Sequence, residues 1–181
     1  GIDIAGKLGA YQFENIEGFI DLDPRGFNLT GRGSANGVPL NFDWDQGLEN
    51  SSPQPPRATR LAISETLSGE DFRALGFAWA GNRLTGRVPM NIKFDGAIAK
   101  PRAYHFNADL TQSVVSFAPL THTKEAGARA RLSGRLDASV DAHTRTLAFS
   151  YEEEGETPIV GRADSSGTSL SRVNMPAFDL G

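Results

Sequence analysis

At 181 residues and a formal charge of −4, the chain is sized for one domain that buries roughly two thirds of its unfolded surface, and its acidic balance excludes a nucleic-acid groove, which needs clustered cations to displace counterions from phosphate. With no cysteine it has no disulfide framework, thiolate metal site or cysteine nucleophile, and the redox compartment stays open between cytosol and periplasm. No run approaches the ~18 apolar residues of a membrane-spanning helix, and the first residues, Gly-Ile-Asp-Ile-Ala-Gly, lack the basic and apolar regions of a signal peptide.

Hydrophobic residues recur with a period of two, the mark of strands with one covered face. Ile2, Ile4 and Leu8 begin the pattern. A chain that opens in mid-pattern and closes on "NMPAFDLG" is expected to be a piece of something longer, with residues 1–181 forming one segment. Ile20 and Leu22 lead to Asp23-Pro24-Arg25-Gly26, where proline sets the first turn angle and glycine the positive φ, and Phe27 and Leu29 resume the alternation as a hairpin. The glycine-rich stretch Gly31–Gly37 is expected to turn the chain into a strand with Val38, Leu40, Phe42 and Trp44 on one face. The polar, proline-rich "ENSSPQPPR" predicts an exposed loop before Leu61 and Ile63.

One interruption is helical. Ser68-Gly-Glu-Asp71 has the form of an N-cap with acids in the first turn, Phe72 and Leu75 share a face, and Gly76 ends the helix, which is placed to plug an end of the sheet. Four more strands follow: Val88, Met90, Ile92 and Phe94; Tyr104, Phe106, Ala108 and Leu110; Ala130, Leu132, Leu136, Ala138 and Val140; Leu147, Phe149 and Tyr151. Asp95-Gly96 and Asp141-Ala-His-Thr144 supply turns between them. The fold class is therefore mostly β: a long antiparallel meander of about ten strands with one short helix.

A phrase recurs in it, as Leu29-Thr-Gly-Arg32, Leu84-Thr-Gly-Arg87 and Leu132-Ser-Gly-Arg135. In a strand the leucine and glycine of each copy point inward and the hydroxyl residue and arginine outward. An inward glycine lets a neighbouring backbone pass close by or permits a bend, and outward arginines discourage edge-to-edge aggregation.

Catalytic chemistry is not legible, and no enzyme activity is expected. His105, His122 and His143 are far apart and have no metal-ligand spacing, so neither a metal nor a cofactor is implied. Asp21/Asp23 and Asp43/Asp45 pair carboxylates on strand faces, an arrangement that suits solvation. "GRGSANG" opens a strand where a phosphate loop opens a helix. Thr121-His-Thr-Lys124 has the spacing of a Ser-x-x-Lys nucleophile but none of its partner motifs. Asn28-Leu-Thr30 and Asn50-Ser-Ser52 match a glycosylation pattern that matters only in a secretory eukaryotic setting.

Attention then turns to the covered face. A sandwich, a closed barrel and an open, strongly curved sheet (a groove or half-barrel) all remain possible; the last leaves an apolar trough that something must fill. Large inward residues and the lack of long helices to cover the sheet favour the curved form. The candidate lining is Leu40, Phe42, Trp44, Val88, Met90, Ile92, Phe94, Tyr104, Phe106, Leu132, Leu136 and Phe149.

From Phe106 to Leu136, Ala108-Asp-Leu-Thr111, Lys124, Gly127 and the Leu-Ser-Gly-Arg strand follow in the order of a phrase of the AsmA-like proteins of the YhdP branch, and the chain resembles that family there. Gly31, Gly37, Pro39, Leu40 and Trp44 are similar to an upstream phrase, and "PIVGRADSSGTSLSRVNMPAFDLG" to its close. Thr121-His-Thr123 departs from it, since an aromatic commonly stands near the lysine. The resemblance implies a slice of a very large periplasmic protein of Gram-negative bacteria, anchored in the inner membrane through parts outside this segment. In that family a continuous β-sheet rolls into a hydrophobic groove through which phospholipid passes between inner and outer membranes. The implied partners are lipid acyl chains and neighbouring segments of the same protein. A second expectation, independent of the resemblance, is a structural or interaction domain whose closed core leaves its loops to bind a protein.

Overall fold

The computed structural model describes residues 4–8, 11–48, 59–95, 103–117, 122–138, 144–166 and 169–174. The chain runs β1 (Ile4–Leu8), β2 (Tyr11–Asp23), β3 (Gly26–Ala35), β4 (Val38–Gly47), β5 (Arg60–Ser68), α1 (Gly69–Ala74), α2 (Ala78–Gly81), β6 (Leu84–Thr85), β7 (Arg87–Asp95), β8 (Ala103–Asp109), β9 (Val114–Phe117), β10 (His122–Lys124), β11 (Ala130–Ala138), β12 (Thr144–Glu153), β13 (Ile159–Ser166) and β14 (Ser169–Asn174). Eleven strands form one sheet in the order β1-β2-β3-β4-β5-β7-β8-β11-β12-β13-β14, and β10-β9-β6 form a second, three-stranded one. The large sheet is a meander of antiparallel neighbours, interrupted only where the helices and the small sheet are inserted.

The mostly β, antiparallel expectation therefore stands. The strong curvature does not: among the described residues neither sheet is strongly curled or closed. The Asp23-Pro-Arg-Gly26 hairpin forms as the turn residues dictate, with Asp23 Oδ1 accepting the Arg25 N–H at 2.7 Å. Gly31–Gly37, expected to turn the chain after the Leu29-Thr-Gly-Arg32 strand phrase, is mostly strand. Only Asn36 (φ 50°) and Gly37 (φ 79°) turn, between paired Ala35 and Val38, because Asn-Gly suits the doubly left-handed two-residue hairpin. The loop from residue 49 to 58, most of the Asp141-Ala-His-Thr144 turn and Gly96 lie outside the described residues.

The helix begins where Ser68 predicts it. Ser68 Oγ accepts the Asp71 N–H while Asp71 Oδ2 accepts the Ser68 N–H, a capping box that satisfies two orphan donors. It ends at Gly76, whose N–H donates to Arg73 O and is followed by Phe77 N–H on Phe72 O, the paired closure that glycine after a helix allows. The four-residue α2 was not expected; it follows this closure too closely for an apolar period to show.

Phe72 enters a core made of Val38, Leu67, Val88, Ala108, Leu110, Ala130 and Tyr151. All but Phe72 and Leu110 stand at strand ends on one rim of the sheet, and Leu75, Phe77, Ala80, Leu84 and Val115 pack on them. The two helices and the small sheet thus cover one rim of the apolar face, which is the plug expected of the helix. Among the described residues no helix is long and apolar enough to cross a membrane.

Candidate functional site

Because side chains alternate and neighbouring strands are locked in register, residues from strands distant in sequence fall into rows across the sheet. One row reads Gly18, Gly31, Phe42, Ile63, Ile92, Phe106, Gly134, Phe149, Gly161. The next is Ile20, Leu29, Trp44, Leu61, Phe94, Tyr104, Leu136, Leu147, Ala163, Val173. Neither holds a charged residue. From β2 to β13 such a row crosses about 40 Å at about 4.8 Å per strand, with the two rows about 7 Å apart.

Every candidate lining residue stands on this face, but they divide. Val88 is fully buried under the plug and is core, not lining, and Leu40, Met90 and Leu132 pack against the core's margin. Phe42, Trp44, Ile92, Tyr104, Phe106, Leu136 and Phe149 are half-buried, with no described element over them; Phe94 shares their row by register. Leu61, Ile63 and Leu147 complete the lane and were missing from the candidates, although their alternation was visible. Trp44 meets Phe27 edge to face at 5.0 Å, and its indole Nε1, buried, has no hydrogen-bond partner.

The recurring phrase now has a physical account. At Gly134, which pairs with both Phe106 and Phe149, a Cβ would lie 2.5 Å from Phe106 Cζ, so the ring occupies the space that glycine vacates. At Gly31 a Cβ would lie 2.2 Å from Glu17 O, beside the bulge in β2 between Glu14 and Glu17. The Leu84 copy differs from the expectation. Leu84 and Thr85 belong to the small sheet, and Gly86, at φ 102°, turns the chain out of it into β7. A further copy, Ile159-Val-Gly-Arg162, escaped notice because valine stands in the hydroxyl position; its Gly161 lies opposite Phe149.

On the opposite face several polar groups pair with one another, although Phe19 and Val160 are exposed there too. Asn28 Nδ2 donates to Asp43 (2.7 Å) and Asp45 (3.2 Å), Arg32 pairs with Glu17, and Arg135 with Asp137. His105 is exposed there, while the His122 and His143 side chains lie outside the described residues. No group of three or more metal-ligating side chains forms among the described residues. Of two shallow hollows, one of about 420 Å³ is lined by lane-row residues Phe106, Gly134, Phe149 and Gly161 together with opposite-face residues such as His105, Ser133, Arg135 and Ser150. The other, about 450 Å³, opens near Glu14, Arg32, Asn41 and Glu65, next to where the β4–β5 pairing stops at Asn41↔Ser64.

Lys124 is the one buried charge of the described residues and draws together the motif around it. Its Nζ donates to Ser113 O and Glu125 O, each at 2.8 Å, and to Thr111 O at 3.2 Å. Gly127 N–H donates to the same Thr111 O, and Thr111 N–H to Asp109 Oδ1. Desolvation lowers the lysine's pKa, with Glu153, Asp109 and Glu125 pulling it back. The Thr111 hydroxyl and N–H lower that of Asp109. All three ammonium protons are engaged, so the group pins a loop and has no lone pair to offer a substrate.

Next to it, Tyr151 is buried, and desolvation followed by its hydrogen bond to Glu153 raises the phenol well above its ordinary 10.0. A folded value above the unfolded one gives stability fully present below the unfolded pKa and lost as pH rises past it. The stability difference between the chain and Tyr151→Phe, read from urea midpoints, is expected to shrink between about pH 8 and about pH 11.

Comparisons with family models, curated proteins and solved structures return no match.

Proposed function

We propose that this chain is a segment of a periplasmic, lipid-conducting β-surface, related to the AsmA-like proteins, that shields phospholipid acyl chains between inner and outer membrane. The observation that carries the reading is the charge-free double row from Ile20 and Gly18 to Ala163 and Gly161, whose described middle positions, from Leu29 and Gly31 to Leu147 and Phe149, are half-buried, and which the packed plug bounds along one rim. Each shielded CH₂ is worth ~0.8 kcal/mol, so the lane holds an acyl chain without a directed polar bond. Aliphatic and aromatic positions repeated at strand spacing give many shallow minima, which suits sliding, whereas fixed hydrogen bonds would retain one molecule.

Lipid extracted from the chain purified out of bacterial membranes and identified by mass spectrometry tests this. Ile92→Glu and Phe106→Glu, both half-buried and outside the plug, are expected to keep the fold by circular dichroism and to lose most of the lipid. Equal lipid content in these variants and in His105→Glu on the polar face sinks the reading.

A second reading has an observation of its own. A sheet that is not strongly curled also presents its apolar face to a flat protein partner, and then the purified chain carries protein and no lipid.

A further inference from the structure

One polar atom of the apolar lane is not explained by the fold. The indole Nε1 of Trp44 is closed to solvent and has no hydrogen-bond partner, the one buried side-chain nitrogen or oxygen left so among the described residues. A buried donor without an acceptor costs more than a made bond returns, so a group of this kind points to a partner outside the chain. Leu29 and Leu61, beside Trp44 in its row, offer no side-chain acceptor.

The place of Trp44 in the lane indicates what carries the missing acceptor. Toward the plug, the same face of β4 continues through Phe42 to Leu40 at the plug's margin and then to the buried Val38. From Trp44 to Leu40 is four residues, or roughly 13 Å of strand, close to the ~15 Å acyl layer of one leaflet, half of a bilayer's hydrocarbon core. Away from the plug the next position on this face of β4 is Gln46, whose Nε2 donates to Gly47 O at 2.8 Å and to Thr59 Oγ1 at 3.1 Å. Trp44 thus stands where the apolar face of β4 turns polar. Tryptophan takes the same level at a bilayer surface, with its ring in the apolar layer and its N–H toward the wet side.

Resting on the lipid reading above, we infer that Trp44 Nε1 donates to the ester carbonyl of a bound acyl lipid, whose tails lie along the strands toward the plug and whose polar end stands at Gln46 and Thr59. Trp44 as a whole is half-buried, so a turn of its ring, which packs edge to face on Phe27, brings the N–H to the ligand. One donor at one place adds a pausing point to the slide and sorts ester-linked chains from ether-linked ones. It does not hold the molecule fast.

Two phosphatidylcholines of equal chain length, one diacyl and one dialkyl, test this. The unsubstituted chain is expected to bind the diacyl lipid about fivefold more tightly, the worth of one neutral hydrogen bond. Trp44→Phe is expected to bind both alike, with the affinity of the dialkyl lipid. In magnetic resonance of the isotope-labelled chain, one of the two indole N–H signals, from Trp44 and Trp79, is expected to move downfield with the diacyl lipid only, and Trp79→Phe identifies it as that of Trp44. Equal binding of the two lipids by the unsubstituted chain, or diacyl lipid bound with neither indole signal moved, overturns the inference and leaves the lipid reading standing. Both are read without Trp44→Phe, so they decide the matter even where that variant does not fold. Binding of neither lipid overturns the inference and the lipid reading together.

Discussion

Replacing Lys124 with methionine is expected to lower the free energy of unfolding by about 3 kcal/mol, the largest loss from any single side chain outside the apolar core. Methionine keeps the packing of the buried stem. It leaves the carbonyls of Ser113 and Glu125 without this donor and Thr111 O with only the Gly127 N–H, and the Ser113 carbonyl lies in a residue with no exposure at all. An unmatched buried acceptor costs more than the net worth of its bond, because its hydration is not regained. Arginine is not expected to rescue the site, since a planar fork cannot reach three carbonyls arranged around a point. Denaturant titration of both variants measures the effect. A midpoint within error of the unsubstituted chain means that the ammonium does not hold this loop.

Gly31→Ala is expected to cost about 2–3 kcal/mol, far more than a surface strand glycine, because the added Cβ meets backbone and not a movable side chain. It would fall 2.2 Å from Glu17 O and 2.9 Å from Gly18 Cα, so β2 and β3 must part beside the bulge. At Gly134 the same substitution first meets the far end of the Phe106 ring, at 2.5 Å, although Ala148 O at 2.8 Å also resists. The ring can swing, so Gly134→Ala is expected to be the milder of the two. Thermal unfolding of the pair ranks them, and the reverse order contradicts the close approach of β2 and β3.

Much of the fold was legible because the chain uses one device repeatedly. Strict alternation assigns a face to each residue of a strand whatever its partner, and so the half-buried lane, including Phe42, Trp44, Ile92 and Phe106, was visible before any pairing was known. The Ser68 cap and Gly76 were equally plain, since capping is a local matter of side-chain reach. What escaped depends on contacts between distant residues or on segments too short to show a period. Leu84–Thr85, Val114–Phe117 and His122–Lys124 are each too brief for alternation to separate from chance, and together they make the small sheet. Val88 was placed in the lining because alternation tells inside from outside but not which inside residues a plug covers.

Lys124 shows the same limit. Lysine is rarely buried, and nothing in Thr121-His-Thr-Lys124 says that three carbonyls wait for it. The clue is the order Ala108-Asp-Leu-Thr111, Lys124, Gly127, whose members the hydrogen bonds around Thr111 tie into one structural knot. Curvature was over-read from the bulk of the inward residues; bulk on one face fills space without bending the sheet that carries it.

The central claim concerns one face of one sheet, and it is tested most directly with a photoreactive residue moved along single strands in cells. At Ile92 and Phe106, lipid adducts are expected; at their immediate neighbours Asn91 and Asn107, on the opposite face, none. Adducts that follow the alternation place acyl chains on the lane. Adducts of equal yield at all four positions, or protein adducts alone at Ile92 and Phe106, contradict it.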